Sequence, residues 1–535
     1  TGATPERNGI IADKFHRSGK LTDVLNAYDG EHLEAERLWE AAARIGKSSL
    51  VSGIPVTAPA RSPLVRQCGG HSFYRLTRPD SELEFYDIPL QLWFFDKEKK
   101  PCAPLQHFHQ KPSPVSVIRD GLYLLEMWLD REKGSNYRNI PPFNWQLRSE
   151  ENGFTLFNGK EEIELLPDCW EKPFFRILPS DAGDLRIPFR FGCYEFEDGF
   201  LIISDVSGDL SDVCTPDMYE ITKELPPPPL DKAWTFWNSP ATAHIAVDSC
   251  NHQTDWQIEM MRRALSEKHS DIAVTYFPNT DTVNHFFWQI SCGCIPADAQ
   301  LKKLAEQTYK AIYAAADRYL GFLLDEVADE NTFILLVSDH GTLGHVVGNN
   351  INKVLHKAGL LQYDAEGHID CSSTYAASCG CGHIWVNLQG REEGGIVPPE
   401  KYEETVYKVI NALQDHLRSP EGRSYLAFAV RKEEAGFFGL GGRNCGDVVY
   451  GLTAGYGAMT IHAEQIPGAR SQFGSMLSLG ILAGPGIAEG RVTDVPCRTI
   501  DLVPTLCDFL GYPLPEQNCG SSLRRLLEKT PQEKC

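Results

Sequence analysis

Apolar residues recur along this chain in two rhythms. Over 21–45, Ala35, Leu38, Ala42 and Ile45 share one face of a 3.6-residue period, which predicts a helix. The apolar run 49–54 predicts a strand ending in Pro55-Val56-Thr57, and helix followed by strand is the rhythm of an α/β protein. Between 60 and 225 the rhythm changes. Short apolar runs at 174–178, 187–191 and 200–203 sit among aromatic, Pro and Gly residues and predict a β-rich insertion. Pro226 to Pro229 follow as a stiff punctuation.

Beyond the prolines the first rhythm returns. A helix is expected over about 254–267, with Trp256, Met260, Met261 and Leu265 near one face, and a long one over 299–327. The runs 271–277 (DIAVTYF) and 332–338 (TFILLVS) predict buried strands. Continuous apolar strands between helices argue for a parallel sheet covered on both faces. Residues 349–460 carry a helix at 401–417 and short strands, expected as a sub-domain. A strand at 477–483 closes at Gly484-Pro485-Gly486, and 499–511 predicts a helix with Thr499 as N-cap and Gly511 at its end. The expected architecture is an α/β sandwich with a mostly parallel central sheet, helices on both faces and a β-rich insertion. Its core is built from 1–59 and 231–535, with 60–230 as an accessory lobe.

Composition narrows the function. The 535 residues are 42% hydrophobic, ample for a large core, and no apolar run of 18 residues exists to span a membrane. The net charge of −21 disfavours nucleic acid polymers, whose phosphates are bound by Lys and Arg. It leaves room for a small phosphorylated substrate, because bound dications reverse a local field. Sixteen Cys include Cys292-Gly293-Cys294 and Cys379-Gly380-Cys381, a spacing that rarely suits a mutual disulfide, and no Asn-x-Ser/Thr acceptor occurs. Both facts lean towards an intracellular, reduced protein.

Two pairs carry candidate chemistry, each just after a predicted strand. Asp281 and His285, four apart, project from one face if a helical turn begins there. Asp339 and His340 are adjacent, and they converge on one ion only in irregular backbone, for which Gly341 supplies freedom. Carboxylate and neutral imidazole are good ligands for zinc and other first-row divalent ions. A lone Asp at a strand end is more often a helix cap, and a lone His more often a surface or core residue. Two such pairs after two strands of one α/β region outweigh those readings, since ligands collect at the carboxyl ends of parallel strands. Cys379-Gly380-Cys381-Gly382-His383 is a weak zinc candidate, because structural zinc wants four ligands at larger spacing. Gly439 to Gly442 (GLGG) lacks the Lys-Ser/Thr of a phosphate loop.

The segment Thr1-Gly2-Ala3-Thr4-Pro5-Glu6-Arg7-Asn8-Gly9-Ile10 resembles the TG-x-x-P-x-x-HGI segment of type I phosphodiesterases and nucleotide pyrophosphatases, in the alkaline phosphatase superfamily. Asn8 stands where that segment usually has His. Leu38 to Ala42 with Gly46-Lys47, Asp281-x-x-x-His285, Ser338-Asp339-His340-Gly341, Ile351-Asn352 through Leu361, His383 to Leu388 and Leu482 to Gly486 are similar to further family motifs. The resemblance covers the chain except most of 60–225. It implies two divalent metals, zinc or alternatively manganese. One is held by Asp281, His285 and a later His, by position His462, with His345 as runner-up. The other is held by Asp339 and His340 with an Asp and a Thr or Ser nucleophile expected upstream of Thr1, so that the chain reads as a fragment of a longer protein. The implied activity is metal-dependent hydrolysis of a phosphodiester or pyrophosphate bond, in a nucleotide or other small phosphorylated compound. The insertion matches no family motif; because loops and insertions carry specificity, it is expected to flank the site and set substrate choice. Hydrolysis of a phosphomonoester, phosphonate or sulfate, and metal binding without catalysis, are the alternatives.

Overall fold

The computed structural model describes the chain apart from residues 12–13, 17–18, 28–29, 70–74, 78–83, 87–90, 107, 109–110, 128–142, 160–161, 172–173, 181–182, 207–212, 226–241, 295, 343–349, 381, 420, 454–477 and 530–535. Pro226 to Pro229, His345 and His462 therefore lie outside the described residues.

The helix expected over 21–45 is much shorter. Val24–Asn26 is a strand paired with Lys14–His16, a 3-10 turn follows at Gly30–His32, and only Leu38–Ala43 is α-helical. Tertiary contacts override the period here: the Gly30 amide donates to Ala58 O at 2.7 Å and the Glu34 amide to Asn8 O at 2.8 Å. The next strand, β1 (Ser49–Ser52), is buried at every residue. It is the middle of a parallel sheet, with β2 (Val65–Cys68) on one side. Residues 65–68 thus belong to the parallel sheet although they fall inside the span expected as insertion.

From there the chain builds antiparallel sheets of its own. β3 (Gln91–Asp96), β4 (Gly183–Phe196) and β5 (Gly199–Val206) are the long strands of one. Val115–Arg119, Leu122–Met127, Phe143–Glu150, Gly153–Phe157 and Glu162–Leu165 form another. Strict alternation buries both faces of the first. Trp93, Phe95, Phe191, Phe200 and Ile202 meet Tyr123, Leu125, Trp145, Leu147 and Phe154 of the second sheet. Leu92, Phe94, Tyr194, Leu201 and Ile203 point the other way, towards helices.

The chain returns through α1 (Pro216–Thr222) and α2 (Ala243–Glu267), the latter beginning well before the expected residue 254. β6 (Ile272–Thr275) adds to β1 in parallel, completing a three-stranded parallel sheet among the described residues in the order β6, β1, β2. It is partly exposed rather than buried, as the edge strand of that sheet. α3 (Asn279–Ser291) and α4 (Ala299–Phe322) follow, and α4 runs on as a π-helical turn, Leu323–Val327. β7 (Ile334–Val337), expected in the parallel sheet, instead pairs antiparallel with β8 (Gly480–Ala483) in a two-stranded ribbon. With only one neighbour each among the described residues, these strands leave Leu336 and Ile481 38% and 50% exposed.

Between β7 and β8 the helices Ile351–Lys357 and Tyr402–His416 cover a four-stranded antiparallel sheet, Ala376–Gly380, His383–Val386, Leu426–Arg431 and Val448–Leu452. The last predicted helix opens as a 3-10 turn, Thr499–Asp501, and continues as Leu502–Leu510. Its cap is not Thr499: Asp501 accepts the Arg498 amide at 2.9 Å. Gly511 ends it in the left-handed region. The α/β class, with a parallel sheet among helices and a β-rich region, agrees with expectation. No described helix is long and apolar enough to cross a membrane.

Candidate metal centre

The first candidate pair sits where a parallel strand gives way to a helix. β6 ends at Thr275, whose hydroxyl shares a 2.6 Å hydrogen bond with Tyr319 OH on α4. Gln257 on α2 donates to Tyr276 O at 2.8 Å. Asn279, the first residue of α3, donates its side-chain amide to Gln253 at 2.8 Å. These three bonds fix the turn, and Asp281 follows in the first turn of α3, its own amide bonded to Pro278 O at 3.0 Å. A carboxylate there gains from the positive end of the helix dipole with or without a metal. Position 285 lies one helical turn on, as the spacing predicted.

The second pair follows β7. The Ser338 hydroxyl accepts the Leu479 amide at 2.7 Å, tying the end of β7 to the approach to β8. Asp339 is 72% exposed at its side chain and His340 only 7%. His340 Nδ1 lies 2.9 Å from Gly341 O, so Nδ1 carries the proton and donates it. Nε2 then faces Asp339 Oδ2 at 3.5 Å. A ring nitrogen held by a carbonyl in this way is how metal-bound histidines are oriented. The donor types therefore fit a divalent ion. Their number does not: no group of three or more His, Cys, Asp or Glu among the described residues comes together to hold a metal. The two pairs follow strands of different sheets, and a catalytic zinc takes three protein ligands.

Other motifs resolve differently. His383 is buried, and its Nδ1 accepts the Gly446 amide at 3.2 Å. Burial pushes its pKa down to about 4, against a smaller opposing contribution from the Ile11 backbone. It is thus a core histidine, and the zinc reading of Cys379, Cys381 and His383 loses its imidazole. Asn8, at the position of the family's usual His, closes a local turn by accepting the Ile10 amide at 2.8 Å.

A polar cluster that no local sequence pattern marks as one unit lies between the β-rich region and α2. Trp170 Nε1 donates to Tyr194 OH at 2.6 Å, and Tyr194 OH to Asp248 Oδ2 at 3.1 Å. Arg190 donates to His252 Nε2 at 2.7 Å. Burial, aided by Arg190, holds the His252 imidazole down at about 3, and burial raises the Asp248 carboxyl. The four-residue steps His244, Asp248, His252 on one helix face were the available signal. An open cleft of about 430 Å³, lined by Ile290, Ser291, Gly293, Lys302, Glu306, Tyr309 and Lys310, lies at the far end of α3 from Asp281.

Residues 212–463 match the family model described as type I phosphodiesterase / nucleotide pyrophosphatase, a span that holds Asp281, His285, Asp339, His340 and His462. No curated relative matches the chain in sequence. Among solved structures, wild-type alkaline phosphatase PafA is similar at 12% identity and a TM-score of 0.45, over 98% of this chain and 88% of that one. A phosphonoacetate hydrolase from Sinorhizobium meliloti 1021, solved with phosphonoformate, is similar at 12% identity and a TM-score of 0.36, over 94% and 80%. Over residues 212–463, a little under half of its length, this chain is similar to the type I phosphodiesterase / nucleotide pyrophosphatase family.

Proposed function

We propose that this protein hydrolyses a phosphodiester or pyrophosphate bond in a small phosphorylated compound such as a nucleotide. In this reading Asp281, His285 and His462 hold one divalent ion, and Asp339 and His340 contribute to a second, with zinc as the metal and manganese as the alternative. Paired dications stabilise the charge on the attacking and leaving oxygens of an in-line displacement. The observation that carries the reading is the His340 geometry, in a segment that matches the family. Nδ1 lies 2.9 Å from Gly341 O, and Nε2 lies 3.5 Å from Asp339 Oδ2, so an imidazole nitrogen and a carboxylate oxygen stand side by side as a donor pair for one divalent ion. The attacking Thr or Ser that the resemblance implies is assigned to no residue of this chain.

The test joins metal content to substrate choice. The complete natural protein, loaded with Zn²⁺ or Mn²⁺ and freed of excess, should hold about two ions per chain, and about one in Asp339→Ala. In an assay with nitrophenyl esters and nucleotides, phosphodiesters and pyrophosphates should turn over faster than monoesters, phosphonates or sulfates. Unchanged stoichiometry in Asp339→Ala removes the second site. A preference for any of the other esters removes the phosphodiesterase reading and keeps the hydrolase.

A further inference from the structure

We propose that Cys68 and Cys214 form a redox-sensitive pair, which a low-molecular-weight disulfide such as oxidised glutathione converts into one cross-strand disulfide at the base of the β-rich region. Cys68 is the last residue of β2, and Cys214 stands two residues before α1. The chain leaves the parallel sheet at the first and comes back to it at the second. Between them lie the antiparallel sheets built on β3 to β5 and on Val115–Arg119 to Glu162–Leu165.

Residues 213–215 run antiparallel beside 67–69. The Gly69 amide donates to Val213 O at 3.0 Å, and the Thr215 amide to Gln67 O at 2.9 Å. The Gln67 amide also donates to Thr215 Oγ1 at 3.1 Å. These bonds flank the bridge between Cys68 and Cys214 and make it a non-hydrogen-bonded pair. Such pairs have their Cα atoms about 4.5 Å apart and their side chains at closest approach. A disulfide takes Cα separations of roughly 4.4–6.8 Å, so this pair closes without backbone movement.

Exposure orders the steps. Cys214 is partly exposed, whereas Cys68 is buried beside Leu50, Ala58 and Met218. The Cys214 thiolate attacks oxidised glutathione, forming a mixed disulfide and releasing one glutathione thiolate. Cys68 then gives up its proton, and its sulfur attacks Cys214 Sγ and expels the second glutathione. Two electrons pass from the protein thiols to the glutathione disulfide, and the two protons end on the released thiols. The neighbouring Cys214 thiol, together with burial, pushes the Cys68 thiol well above the usual range, so the second step is the slow one. The product is a covalent ring from residue 68 to residue 214, and long rings constrain the unfolded chain most.

The full-length folded protein is treated with oxidised glutathione, its remaining thiols are alkylated, and it is digested without reduction for peptide mass mapping. Mapping separates this pair from Cys292 and Cys294, whose sulfurs lie 3.3 Å apart near the end of α3 and are expected to react as well. The expected product is a linked peptide joining Cys68 to Cys214, two hydrogens lighter than its reduced halves. The oxidised protein should melt several degrees higher than the reduced one, a shift that dithiothreitol reverses and Cys214→Ser lacks. Stable glutathione on Cys214 with Cys68 still alkylatable on unfolding overturns the proposal. So does a 68–214 link that forms only after denaturation. Both readouts come from the wild-type chain, so they decide the matter even if Cys214→Ser folds poorly.

Discussion

The imidazole of His383 has to fold without a proton. It is 1% exposed, its Nδ1 accepts the Gly446 amide, and burial holds its folded pKa at about 4. An unfolded histidine titrates near 6.5. Between those values the unfolded chain binds the extra proton, so stability rises with pH there, is complete above about 6.5 and is lost as pH falls. One such group makes the protein roughly 2 kcal/mol less stable at pH 5 than at pH 7. Gln in its place keeps an acceptor and a donor but does not titrate. Urea unfolding of wild type and His383→Gln at both pH values is the measurement, and the pH 5 loss should be smaller in the variant by about 2 kcal/mol. An equal loss in both would mean that the buried ring carries a proton. His383 opens an apolar run and His340 follows one, but neither position says what the ring meets: only the fold shows one accepting a backbone amide and the other with Nε2 beside a carboxylate.

Gly484 decides how β8 meets β7. Its φ of +146° is a backbone that side chains rarely adopt, and an added Cβ would lie 2.8 Å from Phe333 Cδ1 and 3.0 Å from Phe333 Cα. Phe333 stands just before β7, the strand that delivers Asp339 and His340. Gly484→Ala should therefore cost about 1–3 kcal/mol of stability. It should also weaken metal binding at the second site more than at the first, when the Mn²⁺ titration of Gly484→Ala is compared with that of wild type. Equal stability would show that the ribbon absorbs a methyl group there. The sequence foretold this turn from Gly484-Pro485-Gly486, and it foretold β1, β6, β7 and α4 from continuous or periodic apolar runs. It failed where distant contacts set the backbone. The helical period over 21–45 yields to bonds from Gly30 and Glu34, and β7 leaves the parallel sheet for a partner almost 150 residues away that no local pattern names. Spacing alone nominated Asp281, His285, Asp339 and His340, and the fold places 281 and 285 one helical turn apart and 339–340 just after β7. The buried cluster around Tyr194 stayed hidden because its members come from β4, α2 and the short strand Cys169–Trp170.

Across the whole molecule, α3 is the element that the β-rich region and the candidate centre share. Val283 and Phe287, one turn apart, pack into the cluster formed by Leu92, Phe94, Tyr194, Leu201 and Ile203. Asp281 precedes Val283 by two residues, which at about 100° per residue sets it on roughly the opposite side of the helix. The proposal that the insertion bears on the candidate metal centre takes a particular form at this helix. The β-rich sheet presses on the back of α3, and α3 carries Asp281 on its front. We propose that a lobe attached this way helps to fix where the candidate pair Asp281 and His285 stands, by holding the helix and apart from any contact with substrate. Phe287 is 1% exposed, and truncating it opens a cavity between the two layers. Phe287→Ala should cost about 3–5 kcal/mol, whereas Val117→Ala, at a 64% exposed position of the outer sheet, should stay within roughly 0.5 kcal/mol. If the lobe holds α3, the affinity of the first metal should fall in Phe287→Ala and stay unchanged in Val117→Ala, under conditions where both remain folded by circular dichroism. A Phe287→Ala protein that loses stability but binds the first ion as tightly as wild type would show that the turn at Thr275, Tyr276 and Asn279 positions Asp281 without help from the lobe.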